Sequence, residues 1–142
     1  MAIRAGSAEW KGNLPKGNGT LETETGAVKG SYSFASRFEE GAGTNPEELI
    51  AAAHAGCFSM AFANGLAKAG HEAESIKTTA KVYLEKGPDG FGISRIELEC
   101  VGRVPGLDEA TFQEHAQAAK VGCPVSRALS ATPVELTASL EG

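Results

Sequence analysis

The longest apolar stretch of the chain runs from Leu49 to Ala67 and contains no charged side chain. The run Thr44-Asn45-Pro46 precedes it and supplies a capping residue followed by a proline at the first helical position. Gly70 follows it, at the place where a left-handed C-terminal residue belongs. This pattern predicts a long helix over about residues 46–69.

The predicted helix has no amphipathic stripe, because its large apolar residues are spread around the axis. A helix that is apolar all round must be covered all round. Its length is close to a membrane span, but alanine and glycine contribute little transfer energy, His54 and Asn64 interrupt the stretch, and no basic or aromatic anchors flank it. We therefore expect close packing against another helix. A single chain of 142 residues has little else that could surround so long a helix, so that other helix is expected to come from a second copy of the chain. A homodimer is the natural expectation.

Alternating apolar and polar residues predict an antiparallel hairpin after this helix, with Ile76 to Leu84 on one strand and about 91–104 on the other. Cap and stop signals then predict two short helices, at about 109–120 and 124–131. A last alternating strand runs from Val134 to Leu140.

Before the central helix, weaker patterning predicts three strands, at about 2–10, 19–25 and 29–34. Residues 36–43 are polar and rich in glycine, which predicts a loop. The order of elements predicts an α+β domain with a mainly antiparallel sheet. The length is most simply that of one domain over residues 1–142.

Charge and composition limit the classes of molecule that the chain is expected to bind. The net charge is −5, and no cluster of lysine and arginine is present, which argues against nucleic acid or an anionic membrane as a partner. The first residues lack the apolar run of a signal peptide, which predicts a cytoplasmic protein. Three cysteines in a cytoplasmic chain do not predict a structural disulfide framework, so each is considered as a thiol.

The three cysteines differ in their surroundings. Cys100 lies on the apolar face of a predicted strand, and core packing explains it. Cys57 lies in the middle of the long helix, where the dipole helps a thiolate little. Cys123 lies between Gly122, which ends one helix, and Pro124, which begins the next, so it occupies a capping position that favours a thiolate. Cys57 and Cys123 are too far apart for a CxxC motif, so only the fold could bring them together.

His54 lies three residues before Cys57 and shares its helix face. It could act as a base, or form a metal site with Cys57, Cys123 and His115. No paired ligand spacing supports the metal site, so a hydrogen-bonded histidine at an interface is favoured.

Arg37 and Glu47 are by default surface groups. Ten residues of helix separate Glu47 from Cys57, which is about 15 Å along the axis, so the two cannot touch within one straight helix. Any role of Glu47 would be to orient an arginine that reaches the thiol, since a guanidinium keeps its charge at all working pH.

Three runs of sequence resemble the OsmC/Ohr superfamily, the osmotically inducible protein C and organic hydroperoxide resistance proteins. They are Arg37-Phe38-Glu39, the stretch from Thr44 to Ala61, and Gly122-Cys123-Pro124-Val125-Ser126. His54 and the Cys-Pro-Val-Ser run resemble the OsmC branch. Gly56 departs from the pattern, since relatives often have alanine there.

The resemblance implies a thiol peroxidase that reduces organic hydroperoxides, and hydrogen peroxide less efficiently, in the response to oxidative or osmotic stress. It implies an OsmC-like fold in which antiparallel sheets wrap around long central helices in an intertwined homodimer. Carried over by position, Cys57 is the peroxidatic thiol, Cys123 the resolving thiol, and Arg37 with Glu47 the activating pair. No metal or cofactor is implied. An external dithiol completes the cycle, and dihydrolipoyl proteins are a candidate by analogy with the Ohr relatives.

Three alternatives stay open at this point. The same thiols could serve a redox sensor or a ligand-binding stress protein without turnover. They could belong to a metal-binding protein. They could also be vestigial in a structural dimer.

Overall fold

A computed structural model describes residues 1–142 as two three-stranded sheets and four helices. In chain order the elements are β1 (Gly6–Lys11), β2 (Asn18–Thr23), β3 (Lys29–Tyr32), α1 (Phe34–Phe38), α2 (Pro46–Lys68), β4 (Ser75–Gly87), β5 (Gly90–Arg103), α3 (Glu109–Gly122), α4 (Pro124–Ala128) and β6 (Val134–Leu140). The predicted α+β class is confirmed.

The chain divides into two compact units, Met1–Leu49 and Ile50–Gly142. Helix α2 begins in the first unit, and most of its length lies in the second. The expectation of one domain over residues 1–142 stays a prediction.

The first unit contains the antiparallel sheet β1-β2-β3. Its main difference from the prediction is α1, which forms where we predicted the start of a polar loop. Ser33 and Ser36 make a reciprocal capping box, in which each side chain accepts a hydrogen bond from the other residue's backbone N–H, at 3.1 and 2.8 Å. The prediction was wrong at Arg37, which lies on the last turn of this short helix and not in a loop.

Helix α2 agrees with the predicted helix at both ends. The side chain of Asn45 accepts a hydrogen bond from the backbone N–H of Glu48 at 2.7 Å, which makes Asn45 the capping residue. At the other end Gly70 has a φ of +89°, and the N–H of His71 reaches back to the carbonyl of Leu66 at 2.8 Å. This left-handed ending satisfies the last carbonyl groups of the helix.

The second unit contains the sheet β4-β5-β6. The hairpin β4–β5 is antiparallel as predicted, with a bulge between Tyr83 and Leu84. Strand β6 pairs with β5 in parallel, so the mainly antiparallel expectation fails for this pair. The physical reason is the connection through α3 and α4, which is long enough to bring the chain back to the end at which β5 starts.

The core of the second unit forms between this sheet and one stripe of α2. Phe58, Phe62 and Leu66 of that stripe are fully buried, and the ring of Phe62 lies 5.0 Å from that of Phe112 on α3. Although α2 is long and apolar enough to cross a membrane, this stripe packs into the protein's own core.

The opposite stripe of α2 is exposed and largely apolar. It includes Ala52, Gly56, Met60 and Asn64, and Met60 is 77% exposed. One chain therefore covers one side of a helix whose composition requires cover on all sides.

Candidate active site

Two thiols meet in the second unit. Cys57 lies half-buried in the middle of α2, and Cys123 lies fully buried between α3 and α4. Both are free thiols, and the Cys123 thiol lies close enough to the Cys57 thiol to raise its pKa. The fold therefore joins two residues that the sequence could not place together.

The position of Cys123 follows from the junction of two helices. Its backbone N–H donates to the carbonyl of Ala119 at 3.0 Å, which ends α3. Its sulfur accepts a hydrogen bond from the N–H of Ser126 at 3.3 Å, which begins α4, and Pro124 occupies the first helical position. The predicted capping role of Cys123 is confirmed.

The surroundings of Cys57 keep it a thiol within a single chain. Burial raises the pKa of Cys57, and the neighbouring Cys123 thiol raises it further. A hydrogen bond from the backbone of Val125 acts in the opposite direction and lowers the pKa. No cationic side chain of the second unit contributes to this balance. A thiolate at this position thus needs a further positive charge.

Cys57 opens onto a groove of about 710 Å³ between α2 and α3. Most of its walls are alanine, glycine, proline and methionine, while Asn64, Lys68 and His115 supply the polar groups. Such a groove admits a mainly apolar molecule to the half-buried sulfur.

Arg37 and Glu47 form a two-pronged ion pair in the first unit. The Nε and one terminal nitrogen of Arg37 donate to the two carboxylate oxygens of Glu47 at 2.9 and 3.0 Å. The Glu47 side chain is only 9% exposed, whereas that of Arg37 is 36% exposed. This geometry fixes the plane of the guanidinium and leaves part of it accessible.

The backbone around this ion pair is held from both sides. The side-chain amide of Asn45 donates to the carbonyl of Ser36 at 2.9 Å, and the hydroxyl of Ser36 donates to the carbonyl of Thr44 at 2.8 Å. These bonds connect α1, which carries Arg37, to the start of α2, which carries Glu47. Gly43 in the connection has a φ of +112°, and a Cβ there would lie 2.6 Å from the carbonyl oxygen of Ser31.

Arg37 also lines a pocket of about 210 Å³. The other walls are mainly aromatic and apolar, and they include Trp10, Tyr32, Phe34 and Phe38. The Phe38 ring lies 5.2 Å from the guanidinium carbon of Arg37, a cation–π distance.

His54 is fully buried and is hydrogen-bonded within the chain. Its Nε2 lies 2.7 Å from the hydroxyl of Ser126, while its Nδ1 is buried without a partner. Burial lowers the pKa of His54, so the ring is neutral near pH 7. The sequence predicted a hydrogen-bonded histidine at an interface; the hydrogen bond is present, but it lies inside one chain and its partner was not predicted. The sequence signals for Ser126 are its place three residues after a capping cysteine and its position in the Cys-Pro-Val-Ser run that resembles the OsmC branch.

Cys100, His115 and the metal site are the remaining candidates from the sequence. Cys100 is 2% exposed in the core, and burial raises its pKa, as expected of an inert thiol. His115 lines the groove beside Cys57. No group of three or more histidine, cysteine, aspartate or glutamate side chains is arranged to hold a metal ion.

Comparison with known proteins gives consistent matches. The family model described as OsmC-like protein matches residues 39–139. Peroxiredoxin OsmC of Escherichia coli (strain K12) is 50% identical over 129 residues, which are 90% of each chain. An organic hydroperoxide resistance protein of Xanthomonas axonopodis pv. citri is 37% identical over 94 residues, which are 62% of this chain and 61% of that one. The crystal structure of an organic hydroperoxide resistance protein OsmC from Legionella pneumophila covers 100% of both chains with a TM-score of 0.73 and 26% identity.

Proposed function

The chain belongs to the OsmC-like family and is a peroxidase that reduces organic hydroperoxides, and we propose that Cys57 is its peroxidatic thiol and Cys123 its resolving thiol. One observation carries this proposal. Two thiols distant in sequence are neighbours in the core of the second unit, one half-buried at a groove and the other fully buried.

The reaction follows ordinary sulfur chemistry. The Cys57 thiolate attacks the terminal peroxide oxygen, the O–O bond breaks, and the departing alkoxide takes up the proton that the Cys57 thiol released and leaves as the alcohol. Cys57 is then a sulfenic acid. Cys123 attacks that sulfur, water leaves, and a Cys57–Cys123 disulfide forms. An external dithiol restores both thiols by exchange, and we propose a dihydrolipoyl protein as the class of reductant.

Activation of Cys57 is assigned to Arg37 and Glu47. The raised pKa of Cys57 calls for a cation, and the Arg37 guanidinium is held in a fixed orientation and partly accessible. Glu47 lies about 15 Å along α2 from Cys57 and so does not itself touch that sulfur, and the family resemblance implies an intertwined homodimer. We therefore propose that the pair of one copy activates Cys57 of another.

A homodimer that covers the exposed stripe of α2 would bring the two copies together. Met60 and Asn64 of that stripe also line the groove at Cys57, so the second copy would form one wall of that groove. The stripe is apolar and unprotected in one chain, and Met60 is 77% exposed. A Cβ added at Gly56 would meet nothing within 4 Å, so packing inside one chain does not require glycine there. Close packing of a second copy against α2 would explain why the residue at position 56 has no side chain.

The organic preference has support from two apolar surfaces. The groove at Cys57 is walled mainly by small apolar residues, and the pocket at Arg37 is walled mainly by aromatic ones. An alkyl or aryl group is stabilised on such surfaces, whereas hydrogen peroxide gains nothing from them. We also propose a cytoplasmic site of action, which suits three cysteines that are all unpaired.

The experiment is a turnover assay with dithiothreitol, cumene hydroperoxide and hydrogen peroxide. Wild type should consume the organic peroxide faster. Cys57→Ser should lose all turnover, while Cys123→Ser should be oxidised once and then stall or over-oxidise. A Cys57→Ser variant that keeps turnover would contradict the assignment. Disulfide formation without steady-state consumption of peroxide would instead indicate a redox sensor.

A further inference from the structure

A row of buried polar groups leads away from Cys123. The Cys123 thiol lies 3.1 Å from the hydroxyl oxygen of Ser126, to which it can donate. That hydroxyl lies 2.7 Å from Nε2 of His54 on α2. All three side chains are buried, with Cys123 and His54 fully so and Ser126 7% exposed.

Helix capping does not explain this row. The cap of α4 uses the sulfur of Cys123 and the backbone N–H of Ser126, and it does not involve the hydroxyl. That hydroxyl instead connects the sulfur to a histidine on another helix.

Space filling does not explain His54 either. Its Nδ1 is buried without any hydrogen-bond partner, which costs free energy that an apolar side chain of similar size would not cost. An unpartnered buried nitrogen calls for an explanation other than packing, and a chemical task of the ring is one such explanation.

We propose that Ser126 and His54 form a proton relay that takes the thiol proton of Cys123 when the Cys57–Cys123 disulfide closes. This inference rests on the assignment of Cys123 as the resolving thiol. Ser126 touches the reacting sulfur and is a catalytic residue in this step. His54 acts through Ser126 and is a positioning residue.

The proton is accounted for at each atom. In the resting state the Cys123 S–H donates to Ser126, and the Ser126 O–H donates to the lone pair on Nε2 of His54. As the sulfur attacks the Cys57 sulfenic acid, its proton moves to Ser126 and the Ser126 proton moves to Nε2. The S–S bond forms, the S–O bond of the sulfenic acid breaks, and the departing hydroxide takes one proton from the row and leaves as water. Cys57 is reduced from sulfenic acid to disulfide while Cys123 is oxidised from thiol to disulfide, so no other reactant is needed.

Two properties of the site suit this role. Cys123 is 0% exposed, so bulk water cannot take its proton directly. Burial lowers the pKa of His54, which keeps the Nε2 lone pair free at neutral pH.

The test separates the two oxidation steps. Reduced protein is mixed with one equivalent of cumene hydroperoxide and quenched at intervals, and mass spectrometry measures Cys57 sulfenic acid and the disulfide. The variants are Ser126→Ala, which keeps the backbone N–H that caps α4, and His54→Gln, which can still hydrogen-bond Ser126 but cannot take a proton. The control is Ser59→Ala, which removes a hydroxyl from α2 that bonds Thr78 at 2.7 Å.

We expect both variants to form the sulfenic acid at a rate within about twofold of wild type and to close the disulfide about 100-fold more slowly, the size of a typical proton-transfer contribution. The unchanged first step shows that the variants are folded. Closure by both variants within threefold of wild type would overturn the relay. Closure by His54→Gln at the wild-type rate would overturn it too, because a hydrogen bond alone would then suffice. Failure of the two-cysteine mechanism is seen separately, as a wild type that forms no disulfide.

Discussion

Two defective variants should restore each other's activity when they share a dimer. Cys57→Ser lacks the reacting sulfur, and Arg37→Ala lacks the guanidinium that Glu47 holds at 2.9 and 3.0 Å. If the ion pair of one copy serves the sulfur of the other, a mixed dimer has one site with both defects and one site with none.

The size of the effect follows from the counting of sites. When equal amounts of the two variants are unfolded and refolded together, about half of all dimers should be mixed. Half of the sites in each mixed dimer are complete. The activity of the sample should therefore reach about 25% of that of wild type. If the pair served its own chain, every site in the mixture would lack one component.

The assay is consumption of cumene hydroperoxide with dithiothreitol as reductant. The control is the same two variants refolded separately and mixed immediately before measurement, which gives no time for exchange. Activity of the co-refolded sample equal to the mean of the two parents would refute the supply of Arg37 by a second copy.

Three further outcomes are expected. By light scattering, Gly56→Arg should have a mass near the 14.6 kDa of one chain, while wild type should have twice that mass. The control Gln117→Arg, on the exposed face of α3, should have the mass of wild type. Equal masses for Gly56→Arg and wild type would contradict a dimer interface on the exposed stripe of α2. Phe62→Ala should lower the free energy of unfolding by about 3–5 kcal/mol in urea titration, since the ring is fully buried against Phe112, and a loss under 1 kcal/mol would contradict the packing. Because burial lowers the pKa of His54 below its ordinary 6.5, the unfolded chain takes up the proton first, so stability should fall as the pH drops from 7.5 to 5.5. In thermal unfolding measured at each pH, His54→Gln should lose most of this pH dependence of stability. The same pH dependence in the variant and in wild type would contradict its assignment to His54.

Features with local signals could be predicted from the sequence. Asn45 and Gly70 mark the ends of α2 by capping chemistry alone, and the capping position of Cys123 between Gly122 and Pro124 follows from three adjacent residues. The roles of Cys57 and Cys123 came from family resemblance and stay proposals. Their contact is a property of the fold.

Other features had no such signal. Helix α1 was not predicted because it is short and the polar segment that follows it contains Gly41 and Gly43, which are typical of a loop. The direction of β6 depends on the path of α3 and α4, which alternation along one strand does not encode. The contact of His54 with Ser126 joins residues far apart in sequence. A helix that is apolar on every side also does not reveal which side the chain will cover.

The unequal exposure of the two thiols has a kinetic consequence. Cys57 alone opens onto the groove, while Cys123 is 0% exposed. An incoming dithiol must therefore attack the Cys57 side of the disulfide and expel the Cys123 sulfur as leaving group. Peroxide and reductant then share one entrance and exclude each other. Steady-state rates should follow ping-pong kinetics in which excess reductant inhibits competitively against peroxide.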